Sequence, residues 1–272
     1  MTIINNPSKI FAIFYFFWKL FKTLVSQSLQ EALSYRATSF IVVIFGFLFF
    51  SIEIVTGIIY FEYSNVIAGW SRNDYLLLIS SASLITYLYH TLFTVSHENL
   101  SEVILEGELD YTLLRPVNSF FYYVFNRIDF PSLVNVLIAL GVQIYVLTNY
   151  SLSFINLLVF FALILVATWL LFLINQVFIM TTFWKDRGGK FLAIPEYLSE
   201  LSSRPAGIYP KILRYLLSWA LPLLMAFNAP ILFIKQDYLW LEMIWYILFT
   251  IGLTALTMWI WKKGLRKYQS AS

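Results

Sequence analysis

The chain has 272 residues, of which 60% are hydrophobic, 19% aromatic and only 12% charged. An average soluble domain carries about 25% charged residues, and a mean hydropathy of +0.75 excludes a water-soluble globule of this size. The absence of cysteine excludes a disulfide framework, a thiolate nucleophile and a Cys-ligated metal, while the net charge of +3 is informative only through where the charges sit.

In chain order, Ile10–Leu33 reads as an amphipathic helix in the inner membrane interface. Its aromatics and leucines would face lipid, with Lys19, Lys22, Gln27, Gln30 and Glu31 toward water. Residues 1–36 are assigned to it. The short run Ile10–Trp18 could pass for a signal-peptide core, but one Lys precedes it and no small-residue cleavage pattern follows.

A bilayer core of roughly 30 Å takes about 20 mostly apolar residues per helix. Such runs lie at Thr38–Phe61, Tyr75–Val95, Phe130–Thr148, Leu152–Phe183 and Tyr238–Trp261. Strand alternation is absent, and lipid offers no partner for open backbone groups, so the fold class expected is all-α and membrane-spanning. Residues 188–234 admit two arrangements. In one, Phe191–Tyr209 lies on the cytoplasmic interface and Ile212–Ile234 is the fifth span. In the other, Phe191–Tyr209 is a polar-lined fifth span and Pro210–Ile234 dips back from outside as a broken hairpin. Hydropathy and the distribution of basic residues favour the first, because polar groups in lipid are costly unless they face a cavity.

Basic residues set the orientation. Lys9, Lys19, Lys22 and Arg36 precede the first span, Arg115 and Arg127 follow the second, and Lys185, Arg187, Lys190, Arg204, Lys211 and Arg214 follow the fourth. Lys262, Lys263, Arg266 and Lys267 follow the last span, and only Arg72 and Lys235 fall on the other side. The side of Arg204, Lys211 and Arg214 depends on the arrangement chosen, but the balance survives without them. The positive-inside rule then gives cytoplasmic N- and C-termini and an even count, six transmembrane helices.

Chemistry-bearing motifs are sparse. Gly188-Gly189-Lys190 lacks the upstream Gly and the following hydroxyl of a phosphate-binding loop, so no nucleotide-hydrolysing machinery is visible. His90 and His97, with Glu98 and Glu102 nearby, fall short of the convergent ligand set of a metal site, and an interfacial pair is the plainer reading. Glu53 intrudes into the first span, where carboxylates often line a pathway, though an interfacial position or a subunit contact explains it equally well. Asn175 and Gln176 join Glu53 as candidate pathway residues. With Asn135 and Gln143 they serve helix–helix hydrogen bonding at least as readily, and Ser80-Ser81-Ala82-Ser83 suits close helix approach.

Residues 96–129 form the most informative loop. Glu98, Glu102, Glu106 and Asp110 recur every fourth residue, an acidic stripe if the segment is helical, with Leu105, Leu109 and Leu113 one position behind. Pro116 closes the helix. Such a two-faced cytoplasmic helix suits docking, although a solvated acidic face packed on neighbouring spans would have the same pattern.

The stretch Glu106-Gly107-Glu108-Leu109-Asp110-Tyr111-Thr112-Leu113-Leu114-Arg115-Pro116-Val117-Asn118 resembles the signature of a bacterial family of type-2 ABC transporter permeases, a Gly-x-Leu-Asp, Leu-Leu-x-Pro-x-Asn sequence after the second span. Tyr35-Arg36, the Arg204–Pro210 region with Leu213-Arg214, Leu221-Pro222 and Ala229-Pro230, and the tail from Trp261 to Ser272 are similar to that family as well. The resemblance implies one permease domain over residues 1–272 in a bacterial inner (plasma) membrane. It pairs with a second, identical or related permease and with cytosolic ABC ATPase subunits, which carry the ATP and Mg; no cofactor is expected on this chain and no nucleic acid among its partners. It further implies a coupling helix at roughly Leu100–Asn118, with Glu102, Glu106, Gly107, Leu109, Asp110, Leu113, Arg115 and Pro116 at the ATPase contact, and a segment before the last span that re-enters from outside. The function expected is an ATP-driven exporter subunit for an apolar or amphipathic molecule. A substrate-capture subunit of a vitamin importer and a membrane-embedded enzyme using His90 and His97 are the alternatives.

Overall fold

A computed structural model describes residues 7–115, 118–125, 127–184 and 193–268. Two long helices, α1 (Pro7–Ser34) and α2 (Arg36–Tyr63), lead into a tight turn at Ala68 and Gly69. Both turn residues have positive φ, 51° and 81°, and Ile67 and Trp70 exchange backbone hydrogen bonds across it. Next, α3 (Arg72–Tyr89) begins with a reciprocal cap. The Ser71 side chain accepts from the Asp74 amide and the Asp74 carboxylate from the Ser71 amide, satisfying donors that the first turn leaves open.

A π-turn at His90–Thr94 joins α3 to α4 (Val95–Leu105), so that Arg72–Leu105 is one 34-residue helix. At 1.5 Å per residue that is about 50 Å, far more than a bilayer core of roughly 30 Å. Short helices α5 (Asp110–Leu113) and α6 (Ser119–Val124) follow. Then come α7 (Phe130–Leu147), opened by an Asp129 cap, and α8 (Phe154–Ile179), opened by a Ser153 cap and ending in a 3-10 turn. The chain continues through α9 (Ala193–Ser202), α10 (Lys211–Tyr215) with a π-turn to Ala220, α11 (Leu223–Lys235) and α12 (Trp240–Leu265). The core of the bundle is α8, hydrophobic all round and packed against α3, α11 and α12, as expected of a helix enclosed by others.

Five helices are long and apolar enough to cross a membrane, at the places the sequence indicates. The region between α8 and α12 departs from the favoured expectation. Ile212–Ile234 is not one straight helix: Lys211–Ala220 and Leu223–Lys235 meet at 90°. Pro222 causes the break, because it lacks an N–H and drives the preceding Leu221 to an extended conformation, φ −134° and ψ 91°. The two ends of this segment return to one place. A side-chain carbon built on Gly207 would fall 3.1 Å from Ala68, and Lys235 donates to the Gly69 carbonyl at 3.0 Å. The segment therefore enters and leaves at the α2–α3 turn, the geometry of a broken hairpin. Before it, α9 with residues 203–208 runs from the level of His90 and Asn175 to that turn. Its ten residues span only about 15 Å as a helix, and their polar content hides them from hydropathy.

The bundle has two distinct ends. At one, the α2–α3 turn, the α7–α8 turn and the end of α11 meet: Tyr150 donates to Asp74 at 2.8 Å, and Lys235 lies 3.4 Å from the same carboxylate. At the other, Ser28 of α1 accepts from the Ile128 amide, Tyr123 donates to the Ser96 carbonyl, and the Trp261 ring packs on Phe120 and Phe183. The last described residue, Tyr268, lies against Leu109 and Asp110 at this second end, so the C-terminal ends of α1 and α12 share one side with the α4–α6 arm.

Candidate functional site

The arm is built by a helix that stops where it must. Gly107 has φ 78°, a left-handed conformation that suits glycine, and the Glu108 amide reaches back to the Val103 carbonyl at 3.0 Å. The acidic stripe is therefore not one continuous helical face. It holds through Glu102 and ends at Glu106, while Asp110 starts a new turn on α5. The leucines divide likewise. Leu109 is fully buried and anchors the turn rather than facing a partner, with Thr112 buried beside it. Leu105 is 52% exposed, Tyr111 73%, Leu113 38% and Leu114 83%. Glu102, Glu106 and Glu108 are exposed around them. Arg115 lies 4.7 Å over the Tyr122 ring of α6, a cation–π contact. Pro116 lies outside the described residues. The Tyr268 hydroxyl is pushed above the usual phenol range by burial, with the Asp110 carboxylate acting in the same direction. Tyr111, Leu114 and Tyr268 were not singled out by sequence reasoning, because only the break at Gly107 decides which side chains turn outward.

Where α4 leaves the bundle, it is riveted to α8. His97 is buried, with Nδ1 2.9 Å from the Tyr89 hydroxyl and Nε2 2.7 Å from Gln176 Oε1. Its ring stacks on Phe172 at 5.2 Å between centroids. Gln176, a candidate pathway residue, thus ties α8 to α4 and does not line the cavity between α2, α3, α8 and α9. His90 turns to Thr94 at 2.8 Å instead, because the π-turn between the two histidines changes their register. Among the described residues no three His, Asp or Glu side chains are placed to hold a metal.

A cavity of about 410 Å³ opens between α2, α3, α8 and α9. Phe49, Phe50, Ile79 and Leu171 supply apolar wall; Glu53, Asn175, Glu196 and Arg204 supply polar groups. Glu53 and Asn175 both line this cavity. The Asn175 amide nitrogen donates to the Leu171 carbonyl at 2.9 Å, leaving its carbonyl oxygen without a protein partner. Glu53 is held within this chain: Arg204 grips it with both guanidinium nitrogens, at 2.5 and 2.7 Å. The sequence offered Phe191–Tyr209 as a polar-lined span in one of its two arrangements, but not the pairing of Arg204 with Glu53.

A family model described as ABC-2 family transporter protein matches residues 47–272. The chain belongs to the ABC-2 transporter family. No curated protein and no solved structure matches it. The match makes this chain a multi-pass membrane protein and the permease subunit of an ABC transporter, a transport subunit and not the ATPase. Membership implies association with ABC ATPase subunits. The permease match covers α3 to α12, including the arm and the cavity.

Proposed function

We propose that this permease is one half of the membrane pathway of an ATP-driven exporter, that it pairs with a second permease, and that the α4–α6 arm is its contact with the ATPase. The observation carrying this reading is the arm: the 34-residue helix Arg72–Leu105 runs from the cavity wall to a tip where Leu105 and, on α5 and just after it, Tyr111, Leu113 and Leu114 are exposed among carboxylates. An apolar centre with a polar rim is the usual anatomy of a docking surface. The positive-inside rule places this end, with both termini, in the cytoplasm. There α1 rests on the inner leaflet, and the bent pair α10–α11 re-enters from outside after α9 makes the fifth crossing, α12 being the sixth. Residues 1–36, 96–129 and 188–234 then serve as interfacial helix, coupling loop and fifth span with re-entrant segment.

The arm's geometry supports a mechanism of coupled motion. ATP and Mg bind the partner subunits, whose closure moves the docked tips. The His97 ties to Tyr89 and Gln176 make α4 move with α3 and α8, and these helices line the cavity. Cargo of apolar or amphipathic character fits walls made of Phe49, Phe50, Ile79 and Leu171 beside a few polar groups. ATP can drive the change only through contacts that differ between the inward- and outward-facing states.

Leu113→Asp tests the docking. A carboxylate in a desolvated apolar contact costs several kcal/mol unless paired, so this variant should insert normally yet lose stimulation of the partner's ATP hydrolysis. Normal stimulation by the purified variant would refute the assignment.

A further inference from the structure

Glu53 and Arg204 form a bidentate ion pair joining two elements far apart in sequence, α2 and the segment after α9. Both residues line the cavity, at the end nearest the α2–α3 turn, whereas His90 and Glu196 line its opposite end. The two sides of the pair are held very differently. Arg204 is fixed: its carbonyl accepts from Asn228 Nδ2 of α11 at 3.0 Å, and the Ala206 amide donates to Asn228 Oδ1 at 3.1 Å. Asn228 is itself fully buried and also donates to the Leu224 carbonyl. Glu53 instead rides on α2, which buries only Phe50, Gly57 and Phe61 along its 28 residues.

From this asymmetry we infer that the Glu53–Arg204 pair is the latch that closes the cargo cavity toward the α2–α3 turn, and that it parts when α2 swings away to release cargo on that side. The inference rests on the permease reading above and assigns its outer closure. A bidentate guanidinium–carboxylate contact suits a latch: it is strong and directional when formed, and water can solvate both charges once they separate. It also supplies a contact present in one state and absent in the other, which a two-state transport cycle requires.

The chain has no cysteine, so Ser83→Cys places a single thiol in the cavity wall on α3. Whole cells carrying the assembled transporter are treated with a charged, membrane-impermeant maleimide, which reaches the α2–α3 turn side. With the native pair, labelling is slow. Glu53→Gln and, separately, Arg204→Lys each raise the rate, by roughly tenfold for the loss of a charge-assisted contact. The exchanged pair, Glu53→Arg with Arg204→Glu, returns it to the native level. Tyr63→Cys, exposed at the end of α2, reports correct insertion of each variant. Unchanged labelling in inserted single variants overturns the latch, as does an exchanged pair labelled as fast as the singles. The permease reading fails separately: Leu113→Asp should abolish the dependence of labelling on cellular ATP while leaving the Glu53→Gln effect in place. Persistence of that ATP dependence counts against docking and not against the latch.

Discussion

Gly107 fixes the direction of every side chain beyond it on the arm. Its φ of 78° costs an L-residue other than Asn or Asp about 1–2 kcal/mol, and it lets the Glu108 amide close the end of α4. Gly107→Ala should therefore insert normally but stimulate ATP hydrolysis several-fold less, with Gly107→Asn losing less because Asn tolerates the left-handed region. Equal losses in the two variants would show that the backbone conformation is not what matters. The Gly itself was visible in the sequence, as part of the resemblance. Its consequence was not: the four-residue recurrence of Glu98, Glu102, Glu106 and Asp110 mimics a continuous helix, and only the reversal at Gly107 buries Leu109 and exposes Tyr111 and Leu114. Glu53 and Asn175 were likewise legible as intramembrane polar groups, since burying such groups is costly. Gln176 has the same signature and a different role, because the one-residue step along α8 turns it from the cavity to His97.

At the scale of elements, long apolar runs were readable, and α2, α3, α7, α8 and α12 lie where hydropathy puts them. The failure is confined to α9 through α11. Hydropathy averages over a window and rewards Ile212–Ile234, whereas Pro222 turns the chain by 90° within it. It passes over α9 because Glu196, Ser199, Glu200, Ser203 and Arg204, expensive in lipid, face the cavity. A direct consequence is that residues flanking the bent pair share a side. Ile208→Cys and Gln236→Cys, each the only thiol in its chain, should both react with an impermeant reagent outside the cell. Reaction of one outside and the other only after permeabilisation would restore α10–α11 as a membrane span.

Across the whole molecule, the two ends divide the labour. The end holding Asp74, Tyr150 and Lys235 is cross-tied by hydrogen bonds and by the Lys235 ammonium 4.6 Å over the Trp70 ring. The other end presents an arm whose apolar tip has no cover among the described residues, and the ABC-2 family to which the permease belongs implies an ATPase partner. Force applied to the tip reaches the cavity through a helix that is continuous except for the π-turn at His90–Thr94, where the hydrogen-bonding register changes. The most direct test of this arrangement places a photo-crosslinking phenylalanine analogue at Tyr111, 73% exposed at the tip, in the transporter assembled with its ATPase. The account predicts a covalent product between permease and ATPase subunit on illumination. Failure to capture the ATPase, together with labelling of the same position from outside the cell, would contradict it.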